Sequence, residues 1–433
     1  LNLDHFDLVI STKYPSWMVS HRNHICYMLH PLRGLYDTYH LMGLPESVDW
    51  SDDSLNELNT WMDDSLHPPR ADNAELEDFF QILDKFITNN SGNPILNFPG
   101  PLIRKVVQYL DNYALSPNRI KKHFSISKTV AERENYFPDN ADVTALYPAP
   151  LINKFKCNEY NYMFTASRLD SPKRIDLIIN AFKKVKHNIP LIIAGDGPQQ
   201  EYLKGIAKRD KRIQFIGRIS DSQLIDYYSN ALAVIFTPYD EDYGYITIEA
   251  MKSSKPVITT TDSGGPNEFI KNGINGYSVP PKTKHITHKI DYLCENIDLA
   301  REMGRNAEES VNNITWRNVV THMISNNNEA RESLISSPRN VKNNIVVVAT
   351  FPIYPPRGGG QVRMFNIYRN LAKYYDIEII CLCNSITHTT SELIAPGLVE
   401  TKTPVTKDFV IHEHNLSKRL NNLPVTDIAA IEG

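Results

Sequence analysis

The 433-residue sequence contains few cysteines and no long hydrophobic run. Its five cysteines are odd in number and include no C-x-x-C pair, so neither a disulfide framework nor a zinc site is expected. No apolar stretch approaches the roughly 18 to 20 residues that a membrane-spanning helix needs. We therefore expect a reduced, cytoplasmic protein without a metal site, and any contact with a membrane is expected to be peripheral.

The sequence also lacks a strong excess of charge of either sign. It has 46 lysine and arginine residues against 50 aspartate and glutamate residues, which leaves a formal net charge of -4. A nucleic-acid-binding protein usually carries a basic excess, so no nucleic acid partner is expected. Because domains average roughly 100 to 200 residues, a chain of this length is expected to form two or three.

Short apolar runs alternate with amphipathic stretches from about residue 140 to 280. This pattern predicts βαβ units and a mostly parallel sheet. After the first run, apolar residues at helical spacing predict a helix with Ser171 as its N-cap and Pro172 at its first position. The runs with the length of strands lie at 162–166, 191–194, 213–216, 233–236 and 256–259.

The first 148 residues are less regular. Runs at 6–11, 25–30 and 119–127 predict strands, and residues 128–136 predict a helix. Residues 46–90 hold twelve acidic residues against one arginine and one lysine. This composition is typical of a solvated helical insert, and acceptor recognition is the alternative.

Two glutamates, Glu241 and Glu249, flank the start of a predicted helix. Glu249 is expected on the helix and Glu241 in the loop before it. Gly244 between them would let backbone N–H groups approach a bound anion, while both carboxylates accept sugar hydroxyls. Taken alone, two glutamates at this spacing are also typical of a solvated surface.

Five motifs follow one another between about residues 161 and 281. In this order they resemble the family 4 glycosyltransferases of the GT-B fold, and the resemblance extends more loosely to residues 1–150 and 282–331. It implies two Rossmann-like α/β domains whose parallel sheets face a cleft. The motifs are ASRLDSPK at 166–173, IAGDGP at 193–198, FIGRI at 215–219, the Glu241 to Glu249 segment, and SGGPNE at 263–268.

The resemblance also implies an activity. It is the retaining transfer of a hexose from a nucleotide-diphosphate sugar, such as GDP-mannose or a UDP-hexose, to a glycan or lipid-linked glycan. The expected setting is the synthesis of a surface polysaccharide, such as the O-antigen of lipopolysaccharide. The alternatives are a sugar-nucleotide epimerase of the same fold and a non-catalytic sugar-nucleotide-binding module. A dinucleotide oxidoreductase is disfavoured, because no strand is followed by G-x-G-x-x-G.

By position, the resemblance implies roles for individual residues in the donor site. Arg168 and Lys173 match the basic pair that holds the donor diphosphate, so no cofactor or metal is required for the leaving group. Glu249 matches the residue that binds the ribose hydroxyls, and Glu241 the one that contacts the donor sugar. The backbone of Ile219 is expected to meet the base. The remaining donor-site residues are expected to be Tyr243, Gly244, Gly265 and Pro266.

In the first domain, His30 at a strand end matches a family histidine. It is expected to bind a donor hydroxyl and to stabilise positive charge through its backbone carbonyl, and a packing or capping role is the alternative. Arg33 and Tyr36 are expected to border the acceptor site. The expected catalytic set is thus Glu241, His30, Arg168 and Lys173.

No carboxylate is plainly placed as a nucleophile. Front-face attack is therefore expected, in which the acceptor hydroxyl passes its proton to a departing phosphate oxygen. A covalent glycosyl-enzyme intermediate is the alternative.

The segment after residue 341 has the pattern with which an open α/β domain begins. A strand run at 345–350 precedes Gly358 to Gly360, a helix and a second strand run. The expected division is 1–148, a partial acceptor-side domain; 149–335, a nucleotide-sugar-binding domain; and 341–433, the beginning of a second glycosyltransferase module in a tandem enzyme. Alternatively, residues 345–433 complete the first domain by circular permutation, with their strands beside residues 6–11.

Overall fold

In the computed structural model the chain forms two compact α/β units. The first comprises Leu1–Ile126, Val130–Leu146 and Val320–Gly433, and the second comprises Ser127–Thr129 and Tyr147–Val319. The break at residues 146 and 147 lies close to the boundary expected near residue 148. The structure describes residues 3, 6–51, 55–62, 73–150, 152, 154–324, 344–349, 351–356, 359–383 and 385–404.

Fourteen strands form the two sheets of the described chain. They are β1 (Leu8–Lys13), β2 (His24–His30), β3 (Lys122–Ser125), β4 (Val143–Ala145), β5 (Tyr162–Ala166), β6 (Leu191–Ala194), β7 (Ile213–Gly217), β8 (Ala231–Ile235), β9 (Val257–Thr260), β10 (Gly276–Val279), β11 (Asn344–Ala349), β12 (Asp376–Cys383), β13 (Thr390–Ala395) and β14 (Leu398–Pro404).

The helices cover the faces of these sheets or connect their strands. They are α1 (Asn56–Trp61), α2 (Asn73–Asn89), α3 (Pro101–Ala114), α4 (Lys128–Ala131), α5 (Ile175–Phe182), α6 (Gln200–Ala207), α7 (Asp221–Ser229), α8 (Tyr245–Lys252), α9 (Thr283–Glu295), α10 (Ile297–Val311), α11 (Trp316–Ile324) and α12 (Gly359–Leu371). None of the helices within the described ranges is long and apolar enough to cross a membrane.

The second unit contains a six-stranded parallel sheet in the order β10-β9-β8-β5-β6-β7. This is the Rossmann order, in which the chain begins at the centre and adds strands first to one side and then to the other. The buried strands pack against the apolar face of α5, which contributes Ile178, Ile179 and Phe182 to the core. The predicted α/β fold with Rossmann-like parallel sheets is confirmed.

The first unit contains an eight-stranded sheet in the order β13-β14-β12-β11-β1-β2-β3-β4. All neighbours are parallel except β13 and β14. Strand β11 pairs with β1, with Leu8 opposite Ile345 and Val9 opposite Val346. The described part of 341–433 therefore shares a sheet with β1, as the permutation alternative expects, and does not begin a separate one. Gly358 and residues 405–433 lie outside the described residues.

The acidic insert has a small core of its own. Helices α1 and α2 pack with α3 through a cluster that includes Leu58, Phe79, Phe86 and Tyr109. The predicted helical character holds for α1 and α2, whereas residues 46–51 form no helix and residues 52–54 and 63–72 lie outside the described ranges. The acidic side chains of the insert that the structure describes are exposed, at positions 46, 49, 57, 77, 78 and 84.

Candidate functional site

The candidate site lies at the carboxyl ends of β5 and β8, the two central strands of the second unit. These strands pair with each other, but the chain leaves β5 toward β6 on one side and β8 toward β9 on the other. Such a switch point leaves a crevice at the carboxyl edge of a parallel sheet, where ligands bind. Arg168 and Lys173 follow β5, and Glu241 and Gly244 follow β8.

Lys173 and Glu241 form an ion pair across this switch point. The Lys173 ammonium donates to Oε2 of Glu241, and each side chain is 21% exposed. The structure thus brings together one residue predicted to hold a diphosphate and one predicted to hold a sugar. Both side chains reach solvent, so a ligand that carries a negative charge and hydroxyl groups can compete for the two partners.

The turn that carries Lys173 differs from the predicted helix start. Ser171–Lys173 form a 3₁₀ turn with Asp170 at the N-cap position, and α5 begins only at Ile175. Arg174, between the two, has φ 49° and ψ 42°, which is left-handed and interrupts the helical path. The prediction of Ser171 as the cap of α5 was therefore wrong, and Lys173 does not lie in the first turn of that helix.

Arg168 is far more exposed than Lys173. Its side chain is 72% exposed, and Nε lies 3.5 Å from Oδ2 of Asp170. An exposed ion pair of this kind contributes little to stability because water and salt screen it. Arg168 can therefore reorient toward a ligand at small energetic cost.

Two glycines allow the Glu241 loop to lie directly against the turn after β9. The Glu241 amide donates to the carbonyl of Ser263 at 3.0 Å, and the amide of Gly265 donates to the carbonyl of Glu241 at 2.7 Å. Gly264 has φ +69°, and a Cβ there would lie 2.5 Å from the Glu241 carbonyl oxygen. Gly244, at the start of α8, has φ +77° and is packed against Phe236 and Pro266. The Glu241 to Glu249 segment and the SGGPNE motif at 263–268 thus pack together as one structure.

Tyr243 is fully buried, which restricts its predicted part in ligand binding. Its hydroxyl donates to the carbonyl of Pro148 at 2.7 Å, and its ring meets those of Tyr147 and Phe269. The side chain packs the base of the loop, so any contact of Tyr243 with a ligand would come from its backbone.

Glu249 lies on α8, as predicted. Oε2 accepts a hydrogen bond from the Tyr228 hydroxyl at 2.9 Å. Burial raises the pKa of Glu249 to about 7, although the hydrogen bond from Tyr228 acts in the opposite direction. The group therefore changes from neutral acid to carboxylate near physiological pH.

The other side of the crevice is formed by the loops after β6 and β7. The amide of Leu169 donates to the carbonyl of Asp196 at 2.7 Å, which ties the loop after β5 to the loop after β6. A Cβ on Gly195 would lie 1.9 Å from the Ser167 carbonyl oxygen, so this contact requires glycine. Ile219 follows β7 and precedes Ser220, which caps α7 in a capping box. Its backbone is thereby fixed at the same edge.

Glu268, the last residue of the fifth motif, has a structural role. Its carboxylate accepts the backbone amides of Lys128 at 2.9 Å and Thr129 at 2.8 Å, and the Tyr147 hydroxyl at 2.9 Å. These bonds hold the 127–129 segment against the rest of the second unit, to which it belongs. The motif therefore combines the turn at Gly264 to Pro266 with an anchor.

Sequence reasoning missed Arg174 and Asp262. The Arg174 guanidinium reaches the carbonyls of Thr237 and Pro238, and it pairs with Asp262 through two nitrogens at 2.7 Å. The hydrogen bonds from Arg174 lower the pKa of Asp262. The local sequence shows only that a basic residue follows Lys173. The partners of Arg174 lie more than sixty residues further along the chain, so the network could not be predicted from that position.

His30 lies at the end of β2 in the first unit. Its Nδ1 donates to the carbonyl of Pro31 at 2.8 Å, the neutral tautomer in which Nε2 is an acceptor. Burial, with Lys13, Arg33 and Arg363 nearby, holds the His30 pKa well below its ordinary value. A neutral histidine of this kind can accept a hydrogen bond from a hydroxyl group, and the donor contact of His30 stays a prediction.

The two predicted neighbours of the acceptor site are engaged within the first unit. Tyr36 is only 5% exposed and donates to Asp111, and Arg33 pairs with Asp37. The Tyr36 hydroxyl is thus engaged with a buried carboxyl group and is not available to an acceptor. That Arg33 and Tyr36 border an acceptor site stays a prediction.

Comparison with known proteins places the candidate site inside a family match. Residues 152–310 match the model described as glycosyl transferases group 1. This range is less than half of the chain, and it includes every candidate residue of the second unit. The region around the Lys173 and Glu241 pair is thus similar to glycosyl transferases of group 1.

Three curated relatives are each similar to somewhat more than a third of the chain. An uncharacterized glycosyltransferase of Methanocaldococcus jannaschii is 28% identical over 165 residues, which are 36% of this chain and 42% of the relative. The GtfA subunit of a UDP-N-acetylglucosamine--peptide N-acetylglucosaminyltransferase of Streptococcus agalactiae is 27% identical over 36% of this chain and 33% of the relative. The alpha-1,3/1,6-mannosyltransferase ALG2 of Dictyostelium discoideum is 26% identical over 37% of this chain and 44% of the relative. The chain thus spans less than half the length of these three relatives.

Proposed function

We propose that this chain is a retaining glycosyltransferase that moves a hexose from a nucleotide-diphosphate sugar to a glycan or lipid-linked glycan. The observation that carries the proposal is the Lys173 and Glu241 ion pair at the switch point of a Rossmann sheet, within the matched residues 152–310. A cation for phosphate and a carboxylate for hydroxyls lie at the edge where such sheets bind ligands. The proposed setting is surface-polysaccharide synthesis.

Donor binding rearranges the ion pair. The diphosphate attracts Lys173 away from Glu241 and draws in the exposed Arg168, so two side-chain cations face the leaving group without a metal. The released Glu241 carboxylate then accepts hydroxyls of the sugar and orients its ring. Glu249 accepts the ribose hydroxyls, and the backbone at Ile219 meets the base.

The proposed transfer proceeds by front-face attack. The positive side chains stabilise the charge that develops on the departing diphosphate while the anomeric carbon gains oxocarbenium character. The acceptor hydroxyl bonds to that carbon on the face that the phosphate leaves, and its proton goes to the departing phosphate oxygen. Glu241 stays a hydroxyl acceptor and forms no bond to the sugar.

A thermal-shift screen tests the donor site. The chain is heated with GDP, UDP and ADP and with GDP-mannose, UDP-glucose and UDP-N-acetylglucosamine, with and without Mg²⁺. We expect one base to raise Tm without Mg²⁺, since a ligand at 100 times its Kd adds about 2.7 kcal/mol of stability. In Arg168→Ala most of the shift is expected to vanish.

The matched control is Arg317→Ala, which removes an exposed arginine on α11. This variant should keep the full nucleotide-dependent shift. If no nucleotide stabilises the wild-type chain, or if both arginine variants lose the shift equally, the proposed donor site is refuted.

Nucleoside diphosphate binding is expected to tighten about tenfold from pH 6 to pH 8. The pKa of Glu249 is raised to about 7, so the carboxylate that accepts ribose hydroxyls forms only as the pH rises through that value. The measurement is the nucleotide Kd as a function of pH. Tyr228→Phe removes a hydrogen bond to the charged form and should move the midpoint to higher pH.

Glu249→Gln separates this titration from that of the nucleotide phosphates. The variant should bind weakly with the shallower pH dependence of the phosphates alone. An identical pH profile in wild type and Glu249→Gln would remove Glu249 from the ribose site.

A further inference from the structure

Arg174 adopts a backbone conformation that arginine rarely occupies. Its φ of 49° and ψ of 42° lie in the left-handed region, where a side chain with a Cβ is disfavoured. Such strain persists only where the surroundings hold it in place, and it is concentrated at functional sites. The position is next to Lys173, so the strained residue lies at the proposed donor site.

The Arg174 side chain makes five hydrogen bonds that use all three guanidinium nitrogens. Nε donates to the Thr237 carbonyl at 2.8 Å, and Nη2 donates to the Pro238 carbonyl at 2.6 Å and the Thr260 hydroxyl at 2.8 Å. Both terminal nitrogens also donate to the Asp262 carboxylate at 2.7 Å. The planar guanidinium is suited to this fork, and a lysine could not reproduce it.

These bonds join the three loops that carry the proposed sugar end of the site. Thr237 and Pro238 begin the loop to Glu241, and Asp262 precedes the Ser263 to Pro266 turn. The Asp262 carbonyl also accepts the amide of Asp240 at 3.0 Å. The guanidinium thus fixes the loop after β8 and the turn after β9 relative to the turn of Lys173.

The proposed nucleoside end of the site is held by other contacts. Glu249 is bonded to Tyr228, and Ile219 is fixed by the capped start of α7. The five hydrogen bonds of Arg174 reach none of these residues. The loss of Arg174 should therefore disturb one half of the donor site more than the other.

We propose that Arg174 and Asp262 are positioning residues for the sugar and diphosphate of the donor. They set the separation of Lys173, Glu241 and the Gly264 to Pro266 turn, and they do not themselves bind the nucleoside. The inference rests on the proposed function. Its distinguishing consequence is that catalysis and nucleotide affinity separate when the pair is broken.

The test is Arg174→Gly, because glycine accepts the positive φ and removes only the guanidinium network. The readouts are kcat for hydrolysis of the sugar nucleotide that stabilises the wild-type chain, and the Kd of the corresponding nucleoside monophosphate, which carries the base and the ribose without the full diphosphate. We expect kcat to fall about 100-fold, as for a misplacement of roughly 1 Å at the reacting centre. The nucleotide Kd should change less than about threefold, and Asp262→Asn should act in the same direction.

Arg212→Gly is the matched control. Arg212 immediately precedes β7 and so lies at the amino end of that strand, whereas the candidate site lies at the carboxyl ends of the strands. Its guanidinium is bonded to Asp210 and to the carbonyls of Phe182, Val185 and His187. Its loss should lower Tm and leave kcat unchanged at temperatures where the protein is folded. Added guanidinium ion at millimolar concentration should partly restore kcat in Arg174→Gly and not in wild type, which a general loss of stability would not do.

The outcomes separate this inference from the proposed function. If wild type hydrolyses a donor and Arg174→Gly matches it, the inference alone is overturned. An equal loss of kcat and nucleotide affinity would make Arg174 a direct phosphate ligand and also overturn it. A wild-type chain that binds none of the nucleotides overturns the proposed function and this inference with it.

Discussion

Lys173→Met is expected to lower the rate of donor cleavage by about 100- to 1,000-fold. The methionine keeps the length of the side chain but removes the better fixed of the two side-chain cations that would face the departing diphosphate. Removing one preorganised group that stabilises the charge developing in the transition state lowers the rate by a factor of this size. The measurement is kcat/KM for hydrolysis or transfer, with thermal unfolding to confirm that the variant is folded.

The charge-exchanged protein, Lys173→Glu with Glu241→Lys, distinguishes a catalytic role from a structural one. It keeps an ion pair between the same two positions, so the structural part of the interaction is retained. It should unfold near the wild-type temperature and remain inactive, because the carboxylate now lies where the cation faced the diphosphate. Activity in the exchanged protein would show that the pair matters only as a link between the loops after β5 and β8.

The central sheet of the second unit was predictable from local sequence. Strands buried on both faces appear as continuous apolar runs bounded by Gly, Asp or Pro, and the runs at 162–166 and 191–194 coincide with β5 and β6. The positions of Glu241 in a loop and Glu249 on a helix followed from the same pattern. Alternation of such runs with amphipathic helices leaves few topologies, so both the fold class and the site edge could be inferred.

The start of α5 could not be predicted in the same way. Ser171 and Pro172 are strong helix-start signals, but they open a 3₁₀ turn because Arg174 breaks the helical path. What stabilises Arg174 in that conformation is its set of bonds to Thr237, Thr260 and Asp262. These partners are distant in sequence, so tertiary contacts override the local preference.

The partner of β11 was equally inaccessible to local reasoning. The run at 345–349 predicts a buried strand whichever sheet it joins. A parallel strand of Val and Ile has the same apolar pattern beside any neighbour, so its sequence does not identify the strand with which it pairs. Pairing with β1 is settled by which sheet edge is open, a property of the whole fold. The sheet shows β11 beside β1, the arrangement of the permutation alternative and not the separate sheet that the tandem-enzyme interpretation expects.

Asp111→Leu is expected to destabilise the first unit by about 3 kcal/mol. Asp111 on α3 is 2% exposed, and its two carboxyl oxygens accept the Trp17 indole N–H and the Tyr36 hydroxyl, each at 2.7 Å. Leucine leaves both buried donors without an acceptor. Each unsatisfied donor lowers the free energy of unfolding by about 1 to 3 kcal/mol before the structure relaxes. The measurement is the free energy of unfolding in urea, followed by tryptophan fluorescence.

Asp111→Asn is the control, and its effect should depend on pH. Burial raises the pKa of Asp111 to about 7, above its value in the unfolded chain, so the ionised form is disfavoured in the fold. Wild-type stability should therefore decline as the pH rises from about 4 through 7, since the folded protein must then either hold a proton or bury a charge. The asparagine has no such titration and keeps an acceptor for Trp17. Its stability relative to wild type should thus be higher at pH 8 than at pH 5.5, and parallel pH profiles for the two proteins would contradict the assignment of this slope to Asp111.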